Sequence, residues 1–433
     1  MDIPQGKWAR GRKLLGLASQ MALKEAKHLL PGKAQEELAR LQTRIEQTRL
    51  LVETLTQMKG AAMKAGQLLG LEALDIFPPE VAEILSRLES SPTGLPPQRA
   101  RELLAQELGD KLRLLTDLDL TPMASASIGQ VHRARFEQQE LALKLQFPGV
   151  ADTIDSDVAL LRGLVEKLAF VAGKKADLGD LFDEIRQTLH QETDYQLEIA
   201  MLEEYRRGLA PLAGIVVPRA HPHFSTARLL TMEFIEGIPL KRWATGASAQ
   251  ARQLMGERIL ELFLHEFMVL GLVQTDPNWG NFLVTPRDEL ALLDFGATKR
   301  YSESFRQTYR GILRASMARE KEHLLELSYP FGLIDPREGA EAKELYLAMM
   351  SAVVDPFRHP GPLDFSQETY SKVSKDASLK FLRALRYSPP PKDLIFLHRK
   401  LGGVFQMLKR LEVKLDLRKI WPRMVSEAKG PLA

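Results

Sequence analysis

VQTDPNWGNF, residues 273–282, sets an aspartate five residues ahead of an asparagine; LALLDFGATKR, residues 290–300, sets a second aspartate at the end of an apolar run. Taken singly, Asp276, Asn281 and Asp294 are turn residues, because Asp and Asn tolerate bends. As an ordered set they match what phosphoryl transfer needs: a carboxylate that orients the attacking hydroxyl, then an amide and a second carboxylate that hold a metal ion. LLDFG suits a strand that ends in a metal-binding aspartate whose aromatic neighbour packs inward.

Upstream lie candidates for the other parts of such a site. PMASASIGQVHRA (122–134) offers small residues, Ala124, Ser125, Ala126, Ser127 and Gly129, that let backbone approach a phosphate. It has one glycine, so G-x-G-x-x-G is absent, and an ordinary small-residue turn remains the alternative. Lys144 is the lone charge in LALKLQF (141–147), either a lysine on a half-exposed strand or the phosphate-binding lysine of a kinase strand. HQETDYQLEIA (190–200) supplies Glu192, Asp194 and Glu198, and the four-residue spacing predicts that Asp194 and Glu198 share a helix face. Gln274-Thr275 stand where protein kinases have His-Arg, Asn278 where they have Lys, and no A-P-E follows D-F-G. The platform that holds a peptide is therefore missing.

The composition narrows the classes. A chain of 433 residues that is 45% hydrophobic buries a sizeable core, in two or three lobes. A net charge of +3 gives no nucleic-acid footprint, and the absence of cysteine removes disulfides, thiol nucleophiles and thiolate metal sites. No uncharged apolar stretch approaches the roughly 18 residues a bilayer span needs, which predicts a soluble or peripherally bound chain, cytoplasmic or at the inner membrane. Residues 1–33 carry seven Lys/Arg against two acids, on a helical pattern with Leu14, Ala18, Met21, Ala22, Ala26 and Leu29 in one stripe. That is either an anionic-membrane contact or a helix packed on the body with a solvated basic face. The expected organisation is this basic segment, a helical extension over 34–97, a β-rich lobe over 98–239 and a helical lobe over 240–433.

KAGQ (64–67), ASASIGQVH, LALKLQFPGV, ETDYQLE, QTDPNWGNF and LLDFGATKRY together resemble the UbiB/ADCK (aarF-domain) atypical kinases linked to ubiquinone biosynthesis, the mitochondrial-type members most. The resemblance spans roughly residues 40–410. It implies an α+β, bilobal protein-kinase-like fold with a helical N-terminal extension. It further implies a Lys144–Glu198 ion pair, Asp276 as catalytic-loop aspartate, Asn281 and Asp294 as metal ligands, and the 124–127 stretch as an alanine-rich loop replacing the glycine-rich one. Lys64 and Gln67 match the family's K-x-G-Q motif, and Glu192 with Asp194 its E-x-D motif. Glu233, in the strand-like run ARLLTMEFIEG, is grouped with the residues that meet the nucleotide.

ATP and Mg²⁺ are the implied cofactors, and a quinone precursor, an isoprenoid lipid, a membrane surface or other quinone-biosynthesis enzymes the implied partners. Three functions compete: an atypical kinase or ATPase in quinone biosynthesis, a phosphotransferase with a protein or small-molecule acceptor, and a nucleotide-gated lipid-binding scaffold.

Overall fold

The computed structural model describes residues 64–66, 68–69, 94–125, 128–171, 179–276, 278–367, 377, 380–381, 384–385 and 392–425. The basic segment 1–33, most of the extension 34–97, and the candidates Gln67, Ala126 and Ser127 lie outside the described residues. Two compact units are formed, one running to Leu197 and including His221–Phe234, the other made of Glu198–Ala220 and the chain from Ile235. Helices combine with small, mainly antiparallel sheets, the expected α+β class.

In the first unit, helix α1 (Pro97–Leu108) starts with proline, whose missing N–H is one a first turn leaves unused anyway. Ala100, Leu104 and Leu108, four residues apart, form its buried face. That face packs with an antiparallel sheet ordered β1 (Thr116–Ser125), β2 (Gly129–Phe136), β3 (Gln139–Gln146) and β5 (Leu229–Glu233). Because side chains alternate along a strand, Leu141, Leu143 and Leu145 enter this core. Ala142, Lys144 and Gln146 therefore occupy the opposite face. A second cluster joins Ala65, Leu68 and Leu69 to Ile128 and to the apolar stripes of α2 (Val150–Val171) and α3 (Gly179–Thr193).

The GQVH stretch builds a buried polar chain across the first sheet. The Leu95 amide donates to Gln130 Oε1 at 2.6 Å, so the Gln130 Nε2 group is the donor to His132 Nε2 at 2.7 Å. His132 Nδ1 in turn donates to the Asp119 carbonyl at 2.9 Å. This arrangement requires neutral imidazole, and burial lowers the His132 pKa although the Asp119 carbonyl opposes the shift. The unfolded chain then takes up the proton first, so stability is intact above about pH 6.5 and is lost as pH falls below it. Between about pH 7 and pH 5.5 the urea midpoint should drop in the wild type and drop less in His132→Asn. Equal drops in both would show that this imidazole is not the responsible group.

The second unit takes in α4 (Tyr195–Leu209) from Glu198 onward, followed along the chain by α5 (Leu240–Gly246) and α6 (Ala249–Leu264). Ser248 caps α6 by accepting from the Ala251 amide at 3.2 Å. The helix continues as a π-helical turn, His265–Leu270, closed by Gly271 in the left-handed region at φ 69°. One sheet is ordered β4 (Ile215–Val216), β9 (Leu290–Leu292), β8 (Phe282–Val284) and β6 (Ile238–Pro239), with β4 and β9 parallel. A separate antiparallel ribbon pairs β7 (Leu272–Gln274) with β10 (Thr298–Arg300). Then come α7 (Glu303–Ala318), α8 (Lys321–Phe331), α9 (Ala340–Arg358), α10 (Lys392–Arg410) and α11 (Leu417–Val425). Ile312, Leu324, Ile334, Tyr346 and Met350 form the core beneath α7 to α9.

Candidate functional site

Residues 273–282 and 290–300 meet on the second unit. β8 and β9 form a hairpin in which Phe282 faces Leu292, and the Leu293 amide donates to the Asn281 carbonyl at 3.0 Å. Asn281 and Asp294 are thereby set on adjoining backbone. Asn281 Nδ2 donates to Asp276 Oδ2 at 3.3 Å, which leaves its Oδ1 as the atom suited to a cation. The loop between them is closed by an Asx turn, with Asn278 Oδ1 accepting from the Gly280 amide at 2.9 Å. Thr275 donates from both its amide and its hydroxyl to the Ala297 carbonyl, at 2.8 and 2.9 Å. The chain before Asp276 and the chain after Asp294 are therefore stitched together.

Asp294 Oδ1 accepts from the Gly296 amide at 3.0 Å, while the Phe295 amide donates to Glu198 Oε1 at 3.4 Å. Phe295 is fully buried, its ring 5.0 Å from that of Tyr205 on α4. Glu198 and Tyr205 are seven residues apart, two turns on one helix face. α4 thus holds the Asp294 loop at two points.

Among the described residues no group of three His, Cys, Asp or Glu gathers as a metal site. The donors present are the carboxylates of Asp294 and Asp276 and an amide oxygen. Hard oxygens in that small number fit Mg²⁺, which takes one or two carboxylates and completes its shell with phosphates and water.

The first unit holds the other candidates. Lys144 faces Val131 and Leu230 across the sheet and is buried, its ammonium 5.3 Å from the ring centre of Tyr195. Gly129 begins β2, and a Cβ there would lie 2.6 Å from the Leu145 carbonyl and 3.0 Å from the Tyr195 hydroxyl. Close packing alone therefore requires glycine at that position. Lys64 Nζ meets Glu192 Oε1 at 3.1 Å, both side chains largely buried. Ala124 and Ser125 end β1, and Glu233 ends β5 on its exposed side.

One expectation needs correction. Asp194 does not share a helix face with Glu198; it precedes α4 and accepts from the amides of Gln196 and Leu197 at 3.1 and 3.0 Å. An Asp just before a helix does better by satisfying its orphan amides than by joining the helix. The residue that the sequence reading missed is Tyr195. Its only signal was a bulky aromatic among acids.

The buried lysine on the first unit's antiparallel sheet, and the Asp–Asn pair and D-F-G aspartate on the second unit, are residue types that a kinase-like protein uses. The model of the ABC1 atypical kinase-like domain matches residues 87–328. The chain is 31% identical over 432 residues to the mitochondrial atypical kinase COQ8 of Schizosaccharomyces pombe, covering 98% of this chain and 70% of that protein. It is also 31% identical to Saccharomyces cerevisiae COQ8, over 86% of this chain and 74% of that one. A solved complex of Rv3197 with erythromycin from Mycobacterium tuberculosis shares the fold, with a TM-score of 0.64 and 24% identity over 92% of this chain and 100% of that one. The chain belongs to the UbiB/ADCK family, the ABC1 atypical kinases, and its fold is kinase-like.

Proposed function

We propose that this protein is a Mg-ATP-dependent atypical kinase or ATPase that supports isoprenoid-quinone biosynthesis, the ubiquinone pathway, at a membrane surface. The observation that carries this reading is the Asp276–Asn281 hydrogen bond beside Asp294, on a loop stitched through Thr275 and Ala297. Asn281 and Asp294 would hold the magnesium, which neutralises phosphate charge when bound. Asp276, fixed by the Asn281 amide, would orient the attacking oxygen and take up its proton. Lys144 would meet the phosphates, and Glu198 would anchor the Asp294 loop through the Phe295 amide.

The chain beyond Asp294 favours a small acceptor or water over a peptide. β10 returns at once to pair with β7, and α7 begins at Glu303, capped by Ser302. That leaves no length of chain for a peptide platform. The membrane part of the proposal rests on the basic residues 1–33 and on the relatives' family; among the described residues no helix is long and apolar enough to cross a bilayer.

The test is Mg-ATP hydrolysis by purified protein, with and without anionic liposomes and a quinone-precursor-like phenol. Turnover should rise several-fold when both are added. Tight nucleotide binding with no turnover under any condition would instead support the nucleotide-gated scaffold. Phosphate appearing on the phenol would make the protein a phosphotransferase.

A further inference from the structure

The second unit contains a buried ion pair that the proposed chemistry does not use. Lys400 Nζ on α10 lies 3.4 Å from Glu266 Oε2, with the two side chains 4% and 0% exposed. The π-helical turn carries Glu266, and Ile259, Leu262, Phe282, Val404 and Met407 wall the pair with apolar surface. Burial pushes the Glu266 carboxyl up, against the pull of Lys400 and of the Tyr205 hydroxyl. Replacing a buried pair by apolar side chains is often neutral or stabilising, so stability alone does not account for charges here.

The contacts of the pair give it a use. Lys400 Nζ also donates to Gln274 Oε1 at 3.1 Å, and Glu266 Oε1 accepts from the Gln274 amide at 3.3 Å and the Tyr205 hydroxyl at 2.9 Å. Gln274 is thus gripped by both its side chain and its backbone, two residues before Asp276. The neighbouring residue on α10 extends the grip, because Arg399 donates from Nε to the Thr275 carbonyl and from Nη2 to Thr275 Oγ1, each at 3.3 Å. Gln274 and Thr275 occupy the places of the His-Arg that this chain lacks. The fixed point for the loop therefore comes from a helix more than a hundred residues downstream.

We propose that Lys400, braced by Glu266, is a positioning residue that sets the Asp276–Asn281 pair for the metal through Gln274. The inference rests on reading Asp276, Asn281 and Asp294 as the metal and nucleophile groups. Lys400→Met combined with Glu266→Gln removes both charges together, so no uncompensated buried charge remains to unfold the protein.

The experiment titrates Mg²⁺ into the full-length protein with a fluorescent ATP analogue and reads the half-saturating Mg²⁺ and the metal-free Kd separately. In the double variant the Mg²⁺ midpoint should rise about tenfold or more, the range found when a metal ligand loses its support. The metal-free Kd should stay within about threefold, a split that general loosening of the fold would not produce. An unchanged Mg²⁺ midpoint in the folded double variant overturns the inference. If that variant does not fold, Gln274→Met, which leaves the ion pair intact, is read by the same two numbers and decides in the same way.

Asp294→Asn in parallel separates the two levels of the argument. If it shifts the midpoint and the pair variants do not, only the positioning role falls. If it leaves the midpoint unchanged, or if the wild type binds no analogue, the metal reading fails and the inference goes with it.

Discussion

Asp294→Asn should lower Mg-dependent ATP turnover by on the order of 10³-fold while leaving the urea midpoint nearly unchanged. The amide keeps an oxygen for the Gly296 N–H, so the turn after the strand retains its hydrogen bond. The substitution removes the negative charge, and with it the contact proposed to draw a divalent cation toward Asn281. Because the loss is electrostatic and local, it should appear mainly in kcat and in the Mg²⁺ requirement, with folding little changed. Turnover within about threefold of wild type would remove Asp294 from the chemistry. It would leave the fold and the family membership standing, since those rest on the sheets, the helices and the relatives.

The geometry of the candidate site was legible in the sequence wherever it is local. The five-residue step from Asp276 to Asn281 is carried by one short turn, and the apolar run before Asp294 is a strand with its end exposed to that turn. Lys144 was legible because a single charge inside alternating apolar residues has to sit on one face of a strand, and β3 places it there. Position alone misled at Asp194, where spacing cannot distinguish a residue on a helix from one capping it. The support behind the loop was invisible for a different reason. Lys400 reaches Gln274 across more than a hundred residues, and in the sequence it is one more cation on an amphipathic helix. The π-helical turn that directs Glu266 inward likewise has no composition signature. The Gln130–His132 chain lies between these cases: both residues belong to a recognised motif, yet only the contacts with Leu95 and Asp119 show that the imidazole must be neutral.

Phe295→Ala should cost about 3–5 kcal/mol of unfolding free energy, the usual penalty for emptying a buried phenylalanine site. The ring is fully enclosed and leans on Tyr205, a contact worth roughly another 0.5–1.5 kcal/mol when aromatic geometry is favourable. Tyr205 itself is tied by its hydroxyl to Glu266, so it cannot easily turn to fill the cavity. Urea unfolding at neutral pH measures the effect, and Phe295→Leu, which retains most of the volume, should lose less than half as much. A loss below about 1 kcal/mol in Phe295→Ala would mean that the site collapses around the smaller side chain. The same substitution probes function by a separate route. Phe295 is the neighbour of Asp294, and its amide is the group held by Glu198, so freeing the ring loosens the carboxylate while its charge remains. Asp294→Asn removes the charge and keeps the fold; Phe295→Ala keeps the charge and relaxes its support. If both reduce turnover but only the second lowers the urea midpoint, the aspartate acts in the chemistry and the phenylalanine acts by holding it in place.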